Sequence, residues 1–285
     1  MPALNTLRPT SVCAEHLAAS PHIHRQGALE VRIATSEAEI AAAQALRYRI
    51  FYEEMGATPN RASLSAGRDV DPYDMICDHL LVIDHEAEGR PHVVGTYRLL
   101  RQLVASMHHG FYSAGEYDLA PLLAASESGG QLLELGRSCV APEYRNNTTI
   151  SLLWRGIASY LKTHNIGYLF GCASLPGTDP AVHAAELSWL YQEHLAPPHL
   201  RAQALEQHYV PMNLLAPGSY DARAAARALP PLIKGYLRVG AKVGDGAFVD
   251  RQFNTVDVFV VMPVEQITSR YFDRFLREGT ANDPA

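Results

Sequence analysis

The sequence contains few cysteines and no long apolar run. Four cysteines are spread over 285 residues, and they form neither a C-x-x-C pair nor a cluster with histidine at the spacing of metal ligands. We therefore expect no metal site and no disulfide framework, and a reduced, cytoplasmic protein. The longest apolar stretch, 256–264, is far shorter than the roughly 20 residues that a membrane-spanning helix needs.

The chain also lacks the positive charge of a nucleic-acid-binding protein. Its net charge is −6, and its 47% hydrophobic and 19% charged residues are ordinary for a soluble globular enzyme. Residues 1–27 show no periodicity and lack the basic start and apolar centre of a secretory signal. We expect this segment to be a disordered tail.

Hydrophobic periodicity predicts an alternation of strands and helices with a loop at 60–73. Strands are predicted at 29–35, 79–84, 93–101, 132–140, 168–173 and 256–262, and helices at 36–55, 148–164, 180–194, 229–239 and 264–277. This order predicts an α/β fold with a mixed, largely antiparallel sheet flanked by helices. Residues 28–215 would form the core, and 216–285 a C-terminal extension that completes the sheet.

The most informative stretch runs from Glu134 to Arg145. Glu134 and Arg137 lie on one apolar strand, which ends in Val140-Ala141-Pro142, and Arg145 precedes a helix that leads to the next strand. A carboxylate can take a proton from an amine, and a helix N-terminus can hold a phosphate. Together they indicate transfer of an acyl group from a phosphate-bearing thioester to an amine.

Residues 140–145 (V-A-P-E-Y-R) resemble the V-x-P-x-x-R loop of the acetyltransferase (GNAT) superfamily. The resemblance implies that this loop and the following helix hold the pantetheine and phosphate of the acyl donor. The donor-binding residues would be Val140, Arg145, Asn146, Asn147 and Thr148. Thr148 and Ile150 replace small residues that let backbone N–H groups approach a pyrophosphate. This departure favours the phosphopantetheine of acyl carrier protein as donor, with acyl-CoA as the alternative.

Four further elements resemble the acyl-homoserine lactone synthases in the same order. They are Arg47 with Phe51, Asp71 with Asp74, V-G-T-Y-R-L-L at 94–100, and E-L-G-R at 134–137. This resemblance implies that Glu134 and Arg137 are catalytic, with Glu134 as the general base. It also implies that Arg98, Asp71 and Asp74 belong to the acceptor site. The aspartates would bind amines, and Arg98 would bind a carboxylate or organise the acidic loop.

A third resemblance covers about residues 30–275. The segments at 77–80, 134–142, 170–177, 229–238 and 254–262 resemble the bacterial ornithine–acyl-carrier-protein N-acyltransferases. This resemblance implies that a 3-hydroxyacyl chain moves from acyl carrier protein to the α-amine of ornithine, giving lyso-ornithine lipid. The implied partners are acyl carrier protein, ornithine and, through peripheral contact, the inner membrane. No permanently bound cofactor is implied.

Several alternatives stay open at this stage. Glu134 could serve only to pair with an arginine inside the sheet, although strand alternation puts residues 134 and 137 on opposite faces unless a bulge intervenes. Aspartates in a proline-containing loop commonly serve turn chemistry. The other functions are an acyl-homoserine lactone synthase that uses S-adenosylmethionine, another amino-acid N-acyltransferase, and a non-enzymatic module that binds lipid or a carrier protein.

Overall fold

The alternating residues of Leu29–Ile33 form one strand of a ten-stranded mixed sheet. The computed structural model describes residues 24–87 and 91–267. The strands are β1 (His24–Gln26), β2 (Leu29–Ile33), β3 (Asp78–Asp84), β4 (His92–Arg101), β5 (Tyr117–Asp118), β6 (Gln131–Val140), β7 (Ile166–Pro176), β8 (Gln203–Ala204), β9 (Lys242–Asp250) and β10 (Thr255–Pro263). Their order in the sheet is β1-β2-β3-β4-β6-β7-β10-β9-β8-β5. The β6–β7 and β8–β9 pairs are parallel, and the other pairs are antiparallel.

Most of the helices begin at a polar cap or a proline. They are α1 (Glu37–Tyr48), α2 (Arg61–Ala66), α3 (Gln102–Ser106), α4 (Ala120–Gly129), α5 (Asn147–Thr163), α6 (Ala184–His194), α7 (Ala222–Ala228) and α8 (Pro231–Arg238). Ser36 caps α1, which continues as a π-helix over Arg49–Glu54. Asn146 caps α5 by accepting a hydrogen bond from the Thr149 N–H, so this helix starts earlier than a cap at Thr148 or Thr149 would predict. Within the described ranges, none of the helices has the length and apolar character needed to cross a membrane.

Consecutive strand residues separate into two hydrophobic cores, one on each face of the sheet. The first core contains Leu99, Leu133, Leu169 and Val260, together with residues of α1, α5 and α8. The second contains Leu100, Leu132, Phe170 and Phe259, together with residues of α3 and α4. Helices therefore cover both faces, and the predicted α/β architecture with a mixed, largely antiparallel sheet is confirmed.

Four segments differ from the predictions or fall outside them. His24–Gln26 lies within the predicted tail but pairs with β2 as strand β1, while residues 1–23 lie outside the described residues. Helix α2 occupies part of the predicted loop, where Asn60 caps it. Strand β9 was not predicted, because Gly244 and Gly246 interrupt its apolar pattern. In the predicted terminal helix, Val264–Gln266 forms a 3-10 turn, and 268–277 lie outside the described residues.

The sheet opens between β6 and β7. Their parallel ladder runs from the Gln131–Ile166 pair to the Glu134–Phe170 pair. Just beyond it, a Cβ atom on Gly171 would lie 2.3 Å from the Leu135 carbonyl oxygen, so glycine permits the close approach of the two strands there. Beyond this point β6 continues along β4 to Val140, and β7 along β10 to Pro176. The predicted βαβ crossover thus leads into an opening in the middle of the sheet.

Candidate active site

A cavity of about 600 Å³ occupies the opening between β6 and β7. This volume lies in the usual range for a small-molecule site. One side carries apolar groups, including Ile50, Phe51, Leu153, Trp154, Leu232 and Tyr236. The other side carries most of the ionisable groups, including Arg98, Glu116, Glu134, Arg137, Asp250 and Asp257. The cavity is therefore lined from both faces of the sheet, with a different chemistry on each.

A bulge in β6 brings Glu134 and Arg137 to the same cavity. Arg98 of β4 pairs with Gly136, whereas Thr96 pairs with Cys139, so two residues of β6 lie opposite one residue of β4. Arg137 occupies the left-handed region with a φ of 50°. Because the bulge shifts the alternation by one residue, side chains that a regular strand would send to opposite faces both line the cavity.

The Glu134 carboxylate is almost fully buried and accepts three hydrogen bonds. The backbone N–H of Tyr112 donates to Oε2 at 2.8 Å, the N–H of Ser113 donates to Oε1 at 2.7 Å, and the Ser113 hydroxyl also donates to Oε1. Burial raises the pKa of Glu134, while these hydrogen bonds and the charge of Arg98 lower it. A carboxylate offers about four acceptor positions, so one is left for a group in the cavity.

Three arginines and three aspartates form a largely buried network, in which the formal charges cancel, at the charged side of the cavity. Arg47, which is 0% exposed, pairs with Asp69 at 2.8 Å and with Asp74 at 2.9 Å. The outer arginines complete the network, with distances of 2.6 Å for Arg98–Asp71, 3.3 Å for Arg98–Asp74, 3.2 Å for Arg137–Asp71 and 3.3 Å for Arg137–Asp69. Buried ions need such compensation, because each loses its hydration.

The network assigns Asp71 and Asp74 a different position from the one predicted. Both Arg98 and Arg137 belong to the cavity wall, whereas the two aspartates lie behind them as their ion-pair partners. Asp74 also accepts hydrogen bonds from Gln44 and from the Asp71 N–H. In the structure both aspartates hold the arginines in place, and the acceptor-binding role predicted for them stays a prediction.

The rings around Arg137 orient its guanidinium further. Its Cζ atom lies 4.9 Å from the ring centre of Tyr112 and 4.4 Å from that of Phe253. Such cation–π contacts are stronger when, as here, the cation is largely withdrawn from water. The guanidinium is thus held by rings as well as by aspartates.

The predicted donor-binding residues lie at the N-terminal end of α5. Val140 and Arg145 line the cavity. The Arg145 Nε donates to the Val140 carbonyl at 3.0 Å, and its two terminal nitrogens donate to the Glu54 carboxylate at 2.6 and 2.8 Å. The Asn146 side chain caps the helix, which leaves the N–H groups of Asn147 and Thr148 in the first turn, where an α-helix has no acceptors of its own.

Three acidic residues in the cavity were not predicted. Burial raises the pKa of Glu116 to about 8, and the nearby charge of Asp257 adds to this effect. Burial likewise raises the pKa of Asp257 to about 6. Asp250 lies opposite Thr255 across the β9–β10 pair. Sequence reasoning missed them because Glu116 follows a short 3-10 turn and β9 carries no motif, while the resemblance at 254–262 covers the whole strand and singles out no residue.

Comparison with known proteins agrees with this geometry. Residues 46–155 match the family model of the acetyltransferase (GNAT) domain. This range includes the Arg–Asp network, β6 and the start of α5. A GNAT domain and a two-sided cavity at the opening of the sheet define an acyltransferase.

The relatives narrow the assignment. The chain is 48% identical to L-ornithine N(alpha)-acyltransferase of Agrobacterium fabrum, over 88% of this chain and 86% of that protein. It is 47% identical to the protein of the same name from Brucella abortus, over 90% of this chain and 91% of that protein. The chain therefore belongs to the L-ornithine N(alpha)-acyltransferase family.

Solved structures with a similar fold have much lower identity. The N-acyl amino acid synthase FeeM from uncultured soil microbes is 14% identical with a TM-score of 0.48, over 88% of this chain and 95% of that one. The acyl-homoserine lactone synthase LasI is 13% identical with a TM-score of 0.45, over 90% of this chain and 98% of that one.

Removing the central arginine of the network should destabilise the protein strongly. We expect Arg47→Met to lower the free energy of unfolding by about 3–5 kcal/mol, because Asp69 and Asp74 would be left buried without their shared cation. Urea denaturation followed by circular dichroism measures this. The control is Arg49→Met, because Arg49 is 44% exposed and its ion pair with Glu143 is long, at 4.0 Å. This substitution should lower the free energy of unfolding by less than about 1 kcal/mol. Equal costs for both variants would contradict the network's structural role.

The raised pKa of Glu116 gives a prediction for pH dependence. Between the ordinary glutamate pKa of 4.5 and about 8, the folded protein keeps a proton that the unfolded chain has lost, so this group lowers stability as pH rises. Its contribution is about 1.4 kcal/mol per pH unit at most. Glu116→Gln removes it, and the variant should gain stability over the wild type from pH 5 to pH 8 in urea denaturation. Parallel curves would contradict the shift, and Glu127→Gln, on an exposed face of α4, is the control.

Proposed function

We propose that the protein transfers a 3-hydroxyacyl chain from the phosphopantetheine of acyl carrier protein to the α-amine of ornithine. The product would be lyso-ornithine lipid, and the reaction would be the first step of ornithine lipid synthesis. The observation that carries this proposal is the cavity with one apolar and one charged side, which meet where β6 and β7 part. An acylated amino acid has the same two halves.

The apolar side suits the acyl chain. Leu153 and Trp154 of α5 and Leu232 and Tyr236 of α8 belong to this wall. The Tyr236 hydroxyl lies 3.1 Å from the Tyr97 hydroxyl, within the same lining. This polar pair in an apolar wall offers both a donor and an acceptor to a hydroxyl group on the chain, which supports a 3-hydroxyacyl substrate.

The charged side suits an amino acid with an extra amine. The relatives at 43–48% identity carry the name L-ornithine N(alpha)-acyltransferase, which names both the acceptor and the amine. Arg98 and Arg137 offer guanidinium groups to a carboxylate. Glu134 offers its remaining acceptor position to the α-amine, in the same cavity.

The chemistry follows from this arrangement. Glu134 binds the α-amine, takes its proton directly or through water, and the amine attacks the thioester carbonyl. Backbone N–H groups between Arg137 and Val140, on the edge of β6 that faces the opening, stabilise the oxyanion that forms. The thiol of phosphopantetheine leaves as the amide forms. Alignment of the two reactants is the main contribution, and proton transfer adds about 10²–10⁴-fold.

The donor arm would enter along the N-terminal end of α5. Its phosphate would replace the Glu54 carboxylate on Arg145 and accept hydrogen bonds from the N–H groups of Asn147 and Thr148. The Arg145–Glu54 pair is 44% and 38% exposed, and an exposed pair of this kind is worth less than about 1 kcal/mol, so the exchange costs little. Acyl-CoA would use the same anchor and is the alternative donor.

The reaction would take place in the cytoplasm at the surface of the inner membrane. The exposed apolar side chains of Met55, Ile150 and Leu232 all line the cavity. They form an apolar rim through which an amphiphilic product could pass into a lipid surface, which supports peripheral contact with the membrane.

The direct test is the product. Purified protein with 3-hydroxyacyl carrier protein should acylate ornithine in a panel that also contains other amino acids and S-adenosylmethionine, as identified by mass spectrometry. Glu134→Gln should lower kcat by about 10²–10⁴-fold, because the amine keeps its proton. Circular dichroism checks that this variant folds, and Glu127→Gln should keep wild-type activity.

Two results would count against this function. An acylated product from S-adenosylmethionine and none from ornithine would refute the acceptor. A Glu134→Gln variant with full activity at saturating substrate would refute the assignment of the base.

The donor anchor is tested by binding of the carrier protein alone. Glu54→Gln should strengthen binding of acyl carrier protein that carries phosphopantetheine by up to about fivefold, because Arg145 loses a competing carboxylate. Arg145→Gln should weaken it. Surface plasmon resonance measures both, and carrier protein without the phosphopantetheine arm is the control whose affinity should not change. If neither substitution alters the affinity for the loaded carrier, Arg145 does not contact the phosphate.

A further inference from the structure

The acidic part of the cavity wall contains buried polar atoms that are poorly hydrogen-bonded. Asp257 is 6% exposed, and its Oδ1 atom makes no hydrogen bond of good geometry among the described residues, although the Ser174 and Thr255 hydroxyls are near enough to lower the pKa of its carboxyl. The Thr255 hydroxyl, on a residue that is 2% exposed, also makes no hydrogen bond of good geometry in the same part of the chain. Leaving such atoms unpaired costs about 1–3 kcal/mol each. Both residues line the cavity, so a ligand there could supply what they lack.

Strand geometry puts these atoms on one surface. Thr255 and Asp257 are two residues apart on β10 and therefore point to the same face. Asp257 pairs with Ser174 of β7, and Phe259, two residues further, pairs with Cys172. On the same face, β7 continues from Ser174 and Cys172 to Phe170, and β10 from Asp257 to Phe259. Phe170 and Phe259 belong to the second core. The face that is apolar under α4 thus becomes polar where it reaches the cavity.

Glu116 completes this surface from the loop that covers it. The Cys172 thiol donates to its Oε2 at 3.2 Å. The Cys172 sulfur also lies 3.7 Å from the Ser113 hydroxyl, which in turn donates to Glu134. The acidic surface is therefore connected to the proposed base by a short series of contacts. Asp250 adds negative charge, but its Oδ1 already accepts the N–H groups of Gln252 and Phe253 at 2.8 Å.

We infer that Asp257 and Glu116, together with the Thr255 hydroxyl, bind the side-chain ammonium group of a diamino-acid acceptor and thereby select it. This rests on the proposed function, and it adds the residues that distinguish ornithine from an amino acid with an uncharged side chain. An ammonium group has three N–H donors, which match the two carboxylates and the hydroxyl. Its positive charge also favours the ionised form of both acids and so counteracts the burial that raises their pKa in the free protein.

The two ends of the acceptor would then be recognised separately. The α-carboxylate would meet Arg98 and Arg137, the α-amine would meet Glu134, and the side-chain ammonium would meet the acidic surface. A site built to bond a polar group rejects the analogue that lacks this group, because its own buried atoms are then left unpaired. Selectivity for a diamino acid follows from the poorly hydrogen-bonded atoms of Asp257 and Thr255 in the free protein.

The test compares ornithine with norvaline, which is ornithine without the side-chain amine. For Asp257→Asn we expect kcat/KM for ornithine to fall about 10- to 100-fold, the loss typical of a hydrogen bond to a charged group. The value for norvaline should stay within about threefold of wild type, because norvaline makes no such bond. If norvaline gives no product, its Ki as an inhibitor competitive with ornithine replaces kcat/KM.

Further variants separate selectivity from folding. Thr255→Val keeps both carboxylates and the shape of the side chain, and should lower kcat/KM for ornithine by several-fold without changing the norvaline value. Glu116→Gln should act in the same direction as Asp257→Asn. Glu127→Gln should alter neither value. If Asp257→Asn does not fold, Thr255→Val and Glu116→Gln carry the test.

The outcomes distinguish this inference from the proposed function. Wild-type protein that forms no acylated ornithine would overturn the proposed function and, with it, the assignment of the ammonium site. Wild-type protein that acylates ornithine, combined with equal losses for ornithine and norvaline in the variants, would overturn the ammonium site alone. A change in the ornithine-to-norvaline ratio would support it.

Discussion

The charge balance between three arginines and three aspartates supports the rest of the site. Arg47 sits at its centre without exposure to solvent, and Arg98 and Arg137 reach from it into the cavity wall. Burying a guanidinium without carboxylate partners would cost desolvation free energy. Too many carboxylate partners would instead neutralise its attraction for an anionic ligand. The neutral total lets two cations face the cavity in a fixed position. The aspartates thus fix the positions of the two arginines that line the cavity.

The second constraint is the place where β6 and β7 stop pairing. Short of this point the sheet is continuous, and its two faces carry separate cores. Past it, a cavity can be lined from both faces at once. An enzyme that joins an apolar chain to a charged head needs both environments within bonding distance of one carbonyl group. The opening in the sheet provides this without a second domain.

Much of the fold was predictable from the sequence. The β3–β4 hairpin, the crossover from β6 through α5 to β7, and the cap of α1 all follow from local patterns. The bulge at Arg137 did not, because nothing in the sequence marks a non-glycine residue with a positive φ. Asp69, Glu116 and Asp257 were missed for a different reason. The contacts of each residue are with partners far away in the sequence, and no rule of motif spacing connects such partners. Motif resemblance grouped Asp71 and Asp74 with Arg98. It could not show that the aspartates form ion pairs with this arginine and do not line the cavity themselves.

Gly171 has a consequence for how this enzyme could be altered. The backbone of β7 contacts the backbone of β6 at this glycine. The distance between the two strands at the start of the opening is therefore set by backbone contact and not by side-chain size. The walls contributed by α5 and α8 lie outside that contact. Under the proposed function, substitutions on these two helices would alter chain-length preference and leave the backbone contact at Gly171 unchanged.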